Sequence, residues 1–213
     1  MDPLQQLGLA LGFATLSGLN LYLTVFVAGL AIHNNWLDLA TKHESLEILG
    51  HPAIIGVAGV LFVIEFFADK IPWVDSAWDS VHTFIRPVGG AFLALGALGQ
   101  LDPAMTVVAG LLSGGASLVA HTAKASTRLL VNLSPEPVSN IVTSATEDGL
   151  VLGGLGLMAL NPGVAFFVFL ALLVAAAIAV VRLWSFFREG LRVLRKRFFG
   201  EKETAVGAGL PDS

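Results

Sequence analysis

A short polar segment, residues 65–87, lies between two apolar runs and carries the side chains most suited to chemistry. Its ionisable residues are Glu65, Asp69, Lys70, Asp75, Asp79, His82 and Arg86. The last four are spaced by four, three and four residues, so in a helix they would share one face. The opposite face would be apolar, which predicts an amphipathic helix that lies at a membrane interface or folds back into the protein.

Glu65 and Asp69 are one helical turn apart near the end of an apolar run. Carboxylates at membrane depth are costly and usually belong to an ion or proton path. We therefore expect this pair to bind a cation or a proton, and we consider both residues candidate metal ligands. Glu65 should face the protein interior and contact Lys70, Asn20 or a residue of the second polar segment. A structural ion pair with Lys70 is the alternative.

A metal site is a second hypothesis for the shared helix face. Asp75, Asp79 and His82 supply carboxylate oxygens and an imidazole, which are both common metal ligands. The alternative is the solvated face of an interfacial helix.

A second polar segment, residues 121–148, contains a basic stripe. His121, Lys124 and Arg128 are separated by three and four residues, so they would also share a helix face. This stripe could bind lipid phosphate or an anionic solute. It could equally pair with the acids of the first segment, so we expect Asp75 or Asp79 to lie within ion-pair reach of Lys124 or Arg128.

Two adjacent acids, Glu147 and Asp148, end the second segment. We expect them to begin the fifth helix, where acidic side chains favour the positive end of the helix dipole. In that position they could complete a cation site with the acids of the first segment.

The composition indicates a membrane protein. Of the 213 residues, 55% are hydrophobic and only 13% are charged, and the mean hydropathy is +0.78. Soluble domains carry about 25% charged residues. The apolar runs approach bilayer length and do not alternate, which predicts an all-α polytopic membrane protein. There are no cysteines, and the N-terminal residues lack a basic signal region, so we expect the first helix to be retained.

Four apolar segments begin with an Asp-, His- or Asn-Pro pair, which is typical of a helix start, and we expect His51 to be the weakest cap. We predict about six transmembrane helices, at residues 3–32, 52–70, 87–101, 103–132, 142–160 and 162–184. The two polar segments would be interfacial or re-entrant. We expect polar side chains of the first helix to face protein or a cavity, namely Thr15, Ser17, Asn20 and Thr24. Residues 1–186 would form a single transmembrane domain, followed at 187–213 by a basic amphipathic segment and a disordered tail.

Two weaker patterns concern repetition and association. HPAIIGVAGVL at 51–61 is similar to DPAMTVVAGLL at 102–112, and each is followed by a polar segment and a Gly-Gly pair, so an internal repeat is a hypothesis. Chance similarity of Gly and Ala is the alternative. Small residues at 8–12 form a close-packing face, through which a homo-oligomer could form.

The charge distribution predicts the orientation. With six spans, eleven of the twelve Lys and Arg residues lie on one side and only Lys42 lies on the other. The positive-inside rule then places both termini in the cytoplasm, and we expect a bacterial inner-membrane location.

The two polar segments also carry a family resemblance. EFFADKIPWVDSAWDSVHTFIRPVGGA and SLVAHTAKASTRLLVNLSPEPVSN resemble the signature stretches of an uncharacterised bacterial membrane family, domain-of-unknown-function family 4126. The resemblance covers residues 8–160 and includes the motifs E-x3-DK-x-P-x2-D, H-T-x-K-x3-R and S-P-E-P. It implies a membrane protein and implies no activity.

We therefore expect a transport or permeation protein for a cation or a proton-coupled small solute, with an acidic site towards the cytoplasm. One alternative is a lipid-headgroup or anion-binding protein that uses the basic residues of both segments. Another is a non-transporting scaffold in which the charges pair internally. We expect no enzymatic activity, since no nucleophile–base constellation is evident, and no cofactor or nucleic-acid partner. The expected partners are the lipid bilayer and a small ion or solute.

Overall fold

The computed structural model describes residues 2–36, 44–132 and 137–199, and every regular element in these ranges is a helix. The helices are α1 (Pro3–His33), α2 (Glu44–Glu47), α3 (Pro52–Ala68), α4 (Pro72–Leu98), α5 (Pro103–Asn132), α6 (Pro137–Leu160) and α7 (Pro162–Phe199), with a 3-10 turn at Ile48–Gly50. Contacts divide the chain into two compact units, residues 1–177 and 178–213. The described part of the second unit is a largely exposed helix. The first three residues of the S-P-E-P motif, 134–136, and the predicted C-terminal tail lie outside the described residues.

The predicted helix starts are confirmed, because each of the four Asp-, His- or Asn-Pro pairs begins a helix: α1, α3, α5 and α7. Asp102 and Asn161 cap their helices by accepting hydrogen bonds from amides of the first turn. The expected ranking of the caps is wrong. The ring of His51 accepts a hydrogen bond from the amide of Ala53, whereas Asp2 forms no capping bond.

Several helices have the length and composition of membrane spans. Four of them could cross a membrane by these criteria, at residues 3–33, 73–98, 103–132 and 162–190, and α3 is a shorter apolar helix. Large apolar side chains such as Phe92, Leu111 and Leu112 are at least 70% exposed, which suits contact with lipid rather than water. The chain is therefore an all-α membrane protein with four candidate spans.

The polar segments are not separate interfacial elements. α4 continues from Pro72 to Leu98 with Pro87 in its interior, so the predicted helix start at Pro87 is wrong. Membrane helices tolerate an internal proline where the surrounding protein satisfies the freed backbone groups. α6 begins at Pro137 instead of Val142, so Glu147 and Asp148 lie inside it and not in its first turn.

α1 is interrupted at Asn20, whose backbone angles (φ −150°, ψ 99°) are not helical. The Oδ1 atom of Asn20 accepts a hydrogen bond from the amide of Leu23 at 2.9 Å, as the first residue before a new helix does. We call residues 3–19 α1a and residues 21–33 α1b. The four polar side chains of α1 that were expected to face protein are at most 4% exposed, which confirms that expectation: Thr15, Ser17, Asn20 and Thr24.

The small residues of α1a allow close contact within the chain. Gly8 lies against the backbone carbonyl of Pro162. Gly12 lies against the side chains of Met158 and Phe169. α1 as a whole contacts α3, α4, α5 and α6, so it is the central helix of the first unit.

This packing predicts that a single methyl group at Gly8 destabilises the fold. An ideal Cβ atom there would lie 1.8 Å from the carbonyl oxygen of Pro162, so the backbone must shift. We expect Gly8→Ala to lower the free energy of unfolding by about 1–3 kcal/mol, as overpacking does. Gly56→Ala is the control, because beyond the adjoining turns of its own helix no heavy atom of the described residues lies within 4 Å of a Cβ at that position. Equal thermal stability of the two variants in detergent would contradict the docking of α1a.

Candidate functional site

The two polar segments meet in one buried group of ionisable side chains, which we call the charge cluster. Its ten members are each at most 7% exposed: Glu65 and Asp69 at the end of α3, Asp75, Asp79, His82 and Arg86 from α4, His121, Lys124 and Arg128 from α5, and Glu147 from α6. The helix face predicted from the spacing of the acids, the histidine and the arginine of α4 is therefore confirmed, and it faces protein. Asp148, the remaining predicted residue, is half-buried at the edge of the cluster.

Arg86 connects α4 with α3 and α1. Its Nη2 atom lies 2.5 Å from Oε1 of Glu65, and both side chains are completely buried. Its Nη1 atom donates to the carbonyl of Gly18 at 3.2 Å and lies 3.6 Å from Oδ1 of Asp79. One guanidinium therefore fixes the relative positions of three helices.

Lys124 lies among carboxylates from two other helices. Its Nζ atom is 3.4 Å from Oε1 of Glu65, 3.4 Å from Oδ2 of Asp69 and 3.5 Å from Oε2 of Glu147. A buried ammonium group is stable only because these carboxylates replace the hydration that it loses.

Arg128 binds two acids through a planar fork. Its Nε and Nη2 atoms donate to the two carboxylate oxygens of Glu147 at 3.1 and 2.6 Å, which is a bidentate pair. Its Nη2 and Nη1 atoms also donate to the carboxylate and the carbonyl of Asp69, both at 2.9 Å. The Nη1 atom lies 3.9 Å from Oδ1 of Asp75, which confirms the expected contact between the two polar segments.

Both histidines of the cluster are hydrogen-bonded through both ring nitrogens, and for His121 these bonds define the tautomer. The Nδ1 atom of His82 must donate to the carbonyl of Trp78, which lies 2.7 Å away, and Nε2 forms a hydrogen bond with the hydroxyl of Tyr22 at 2.9 Å. The Nε2 atom of His121 lies 3.1 Å from the carbonyl of Asp79 and must donate, so Nδ1 accepts from Arg86 at 2.8 Å.

The cluster contains more negative than positive groups. Five carboxylates are buried with three cations, so two negative charges remain if all five acids are ionised. Among the residues that the structure describes, four buried carboxylate oxygens accept no hydrogen bond from the protein: Glu65 Oε2, Asp69 Oδ1, Asp75 Oδ1 and Asp79 Oδ1. An uncompensated charge at such a site is costly, so bound protons or cations would stabilise the excess.

Glu65 faces the interior and has polar partners, as predicted, but only one of its partners was expected. Lys124 belongs to the second polar segment, whereas Arg86 was not foreseen. Lys70 was named as one of three possible partners and as the alternative ion pair, and it forms no ion pair with Glu65 in the described part of the chain. The ammonium of Lys70 donates to the carbonyl of Phe66 at 2.8 Å and lies over the ring of that residue. Partial burial of this turn lowers the pKa of Lys70 from its ordinary value.

The residues described by the structure include no group of three or more His, Asp or Glu side chains arranged for a metal ion. The predicted metal face of α4 is therefore not assembled. Both ring nitrogens of His82 are already engaged, and Asp75 accepts a hydrogen bond from Asn132. The suggestion that Glu65 and Asp69 alone hold a metal stays a prediction.

Ser117 and Tyr22 were not singled out from the sequence, and Asn20 was expected to contact Glu65 but contacts Asp148. Asn20 donates to Oδ1 of Asp148 at 3.1 Å, Ser117 donates to the carbonyl of Arg86 at 2.9 Å, and Tyr22 contacts His82. The break in α1 at Asn20 could have been predicted, because an Asn followed by an apolar run is typical of a helix start even within a long helical segment. The small polar side chain of Ser117 carries no comparable signal.

The fold and the cluster define a helical membrane protein with a buried network of ion pairs. The chain belongs to the family described as Domain of unknown function (DUF4126), whose sequence profile matches residues 7–182. No curated protein and no solved structure matches the chain.

The geometry predicts a large effect when one cation of the network is removed. Arg128→Met would leave Asp69 and Glu147 buried with fewer partners, which typically costs about 3–5 kcal/mol. Adding Glu147→Gln should restore part of the stability, because the unpaired charge is removed with its partner. Arg188→Met, at an exposed position, is the control and should leave the stability unchanged. Chemical unfolding in detergent measures all three, and a double variant no more stable than Arg128→Met would contradict this pairing.

Proposed function

We propose that this protein is a membrane transport or permeation protein for a cation or a proton-coupled small solute, and that the charge cluster is its binding site. The observation that carries the proposal is the excess of buried carboxylates over buried cations, together with the four carboxylate oxygens that lack a hydrogen-bond partner. Such a site is incomplete without protons or a cation, and in a membrane protein this is typical of an ion path.

An anion or lipid-headgroup site is less well supported. Arg86, Lys124 and Arg128 are each at most 3% exposed, and each lies within 4.0 Å of at least two carboxylates. An incoming phosphate would have to displace these acids and would meet their negative charge. Both ring nitrogens of each histidine in the cluster are already hydrogen-bonded within the protein.

A purely structural network is the other alternative. Buried polar groups that serve only the fold are nearly all hydrogen-bonded. In the described part of the chain, Glu65, Asp69, Asp75 and Asp79 each keep one buried oxygen without a hydrogen bond from the protein, although those of Asp79 and Asp75 lie 3.6 and 3.9 Å from arginine nitrogens. This concentration favours a site that binds and releases a proton or a cation.

For the orientation, we propose that the cluster lies towards the cytoplasm of a bacterial inner membrane. The positive-inside rule supports this side, because the basic residues concentrate there.

The internal repeat is also retained as a proposal, since its two copies begin α3 and α5. Association into a homo-oligomer would need a face other than Gly8 and Gly12, which pack inside the chain.

Neutralising Glu65 tests the transport function. We expect Glu65→Gln to fold, because an amide keeps the size and the polar oxygen of the side chain, but to lose at least tenfold in flux. The assay follows internal pH in proteoliposomes under imposed proton, sodium and potassium gradients. Glu189→Gln, at an exposed position of α7, is the matched control and should retain the wild-type flux.

Two results would contradict this function. One is a Glu65→Gln variant that folds and carries the same flux as the wild type. The other, for a cation or proton path, is a correctly folded wild-type protein whose internal pH responds to none of the three gradients. A variant that fails to fold is replaced by Asp79→Asn, which removes a more weakly paired acid of the same cluster.

A further inference from the structure

We infer that α1 does not cross the membrane but is a re-entrant hairpin, with both of its ends on one side and its tip, at Asn20, inside the charge cluster. The inference depends on the direction in which each half of α1 runs beside its neighbours. It uses contacts between residues of the first unit only.

The courses of α4, α5 and α6 provide the reference frame. α4 and α5 are antiparallel, because Gly110 lies near Leu95 and Arg128 lies near Asp75. The end of α4 and the start of α5 therefore share one side of the bundle, which we call the upper side. The other side, with the turn between α3 and α4, we call the lower side.

α6 starts on the lower side, where α5 ends. Arg128 of α5 binds Glu147 near the middle of α6. Further along, Gly154 of α6 lines a cavity of about 330 Å³ together with Ala120, which precedes Arg128 in α5. Higher residue numbers in α6 thus meet lower numbers in α5. α6 is therefore antiparallel to α5 and ends on the upper side.

α1a runs antiparallel to α6. Leu16 lies against Gly154, and Gly12 lies against Met158. Gly8, still nearer the start, lies against the carbonyl of Pro162, where α7 begins. The first residues of α1 are therefore on the upper side, beside the end of α6.

α1b ends on the same side. It runs antiparallel to α3, because Phe26 contacts Gly59 and Gly29 contacts Ile55. Its last turn is bound to the chain just before α3, where Nδ1 of His33 lies 3.0 Å from the carbonyl of Gly50.

The chain before α3 also lies on the upper side. Leu46 of α2 contacts Gly96 in the last turn of α4, which is on the upper side by definition. α1 therefore enters from the upper side and returns to it.

The turn between the two halves lies at the charge cluster. Just before the break, the carbonyl of Gly18 accepts from Arg86 at 3.2 Å, and at the break Asn20 donates to Asp148 at 3.1 Å. Ala14 of α1a and Leu21 of α1b both contact the Gly89–Gly90 pair of α4. The two arms of a helical hairpin are expected to reach the same level of a neighbouring helix in this way. Interrupted backbone is tolerated at membrane depth where it is buried in protein, and Asn20 is 1% exposed.

The charge distribution could not have revealed the hairpin. The first Lys or Arg of the sequence is Lys42, which follows α1. The positive-inside rule therefore counts the same basic residues on each side whether α1 crosses or returns. The hairpin replaces the predicted crossing of the membrane by α1, and it places Asp2 on the upper side together with Ser45. In the proposed transport function, on which this role rests, the hairpin separates the charge cluster from the upper side.

Cysteine labelling tests the hairpin, and it does not depend on transport. The chain has no cysteine, so Asp2→Cys, Ser45→Cys and Ile71→Cys each provide one exposed reactive position, and the wild type is the unlabelled control. An impermeant maleimide is applied to intact cells and to inverted membrane vesicles. We expect Cys at Asp2 and at Ser45 to react from the same side, and Cys at Ile71 to react from the other.

The hairpin is overturned if the positions of Asp2 and Ser45 react from opposite sides, as a straight spanning helix requires. It is equally overturned if the positions of Ser45 and Ile71 react from the same side, because α3 would then not connect the two sides. The absolute orientation does not affect this result, since only the relative sidedness of the three positions counts. Loss of flux in Glu65→Gln with either labelling result would separate the transport function from the hairpin.

Discussion

The burial of three cations among five carboxylates is the interaction on which the rest of this structure depends. Arg86, Lys124 and Arg128 would each be unstable alone at membrane depth, because the lost hydration must be replaced by ligands from the protein. No single helix supplies enough of them. α3, α4, α5 and α6 each contribute at least one charged partner, so the ion pairs fix the relative positions of four helices. The same pairs leave an excess of negative charge, and this excess is what suggests a function.

The break in α1 follows from the same need to replace the lost hydration of the buried cations. A continuous helix has its carbonyls occupied along its length, whereas the end of α1a leaves the carbonyl of Gly18 free to accept from Arg86. Asn20 then caps α1b with its side-chain oxygen and donates to Asp148 with its side-chain nitrogen. Close approach is needed as well, and Gly18 provides it, because a Cβ there would lie 2.3 Å from the carbonyl oxygen of Ser117. Backbone and side chains of α1 thus complete a network whose charges come from other helices.

Local patterns predicted much of this architecture. The spacing of Asp75 and Asp79 identified the buried face of α4, and the X-Pro pairs located four helix starts. Properties that depend on packing were missed. Pro87 resembles a helix start because its ring opposes a helix interior, but the contacts of α4 override that preference. Arg86 could not be assigned to Glu65, since the two residues come from different helices. The reversal at Asn20 was hidden because an Asn in an apolar helix also suits an ordinary contact between helices.

The central claim is that the acids of the charge cluster hold a proton or a cation when the protein is at rest. Infrared spectroscopy of the purified protein at neutral pH tests this most directly, since protonated carboxyl groups absorb separately from carboxylates. We predict a band from a buried carboxylic acid that weakens when an acid of the charge cluster is replaced by its amide. If a cation takes the place of the proton, the carboxylate bands should instead change when sodium or potassium is removed. A spectrum in which every acid is ionised and no band responds to either cation would contradict the account.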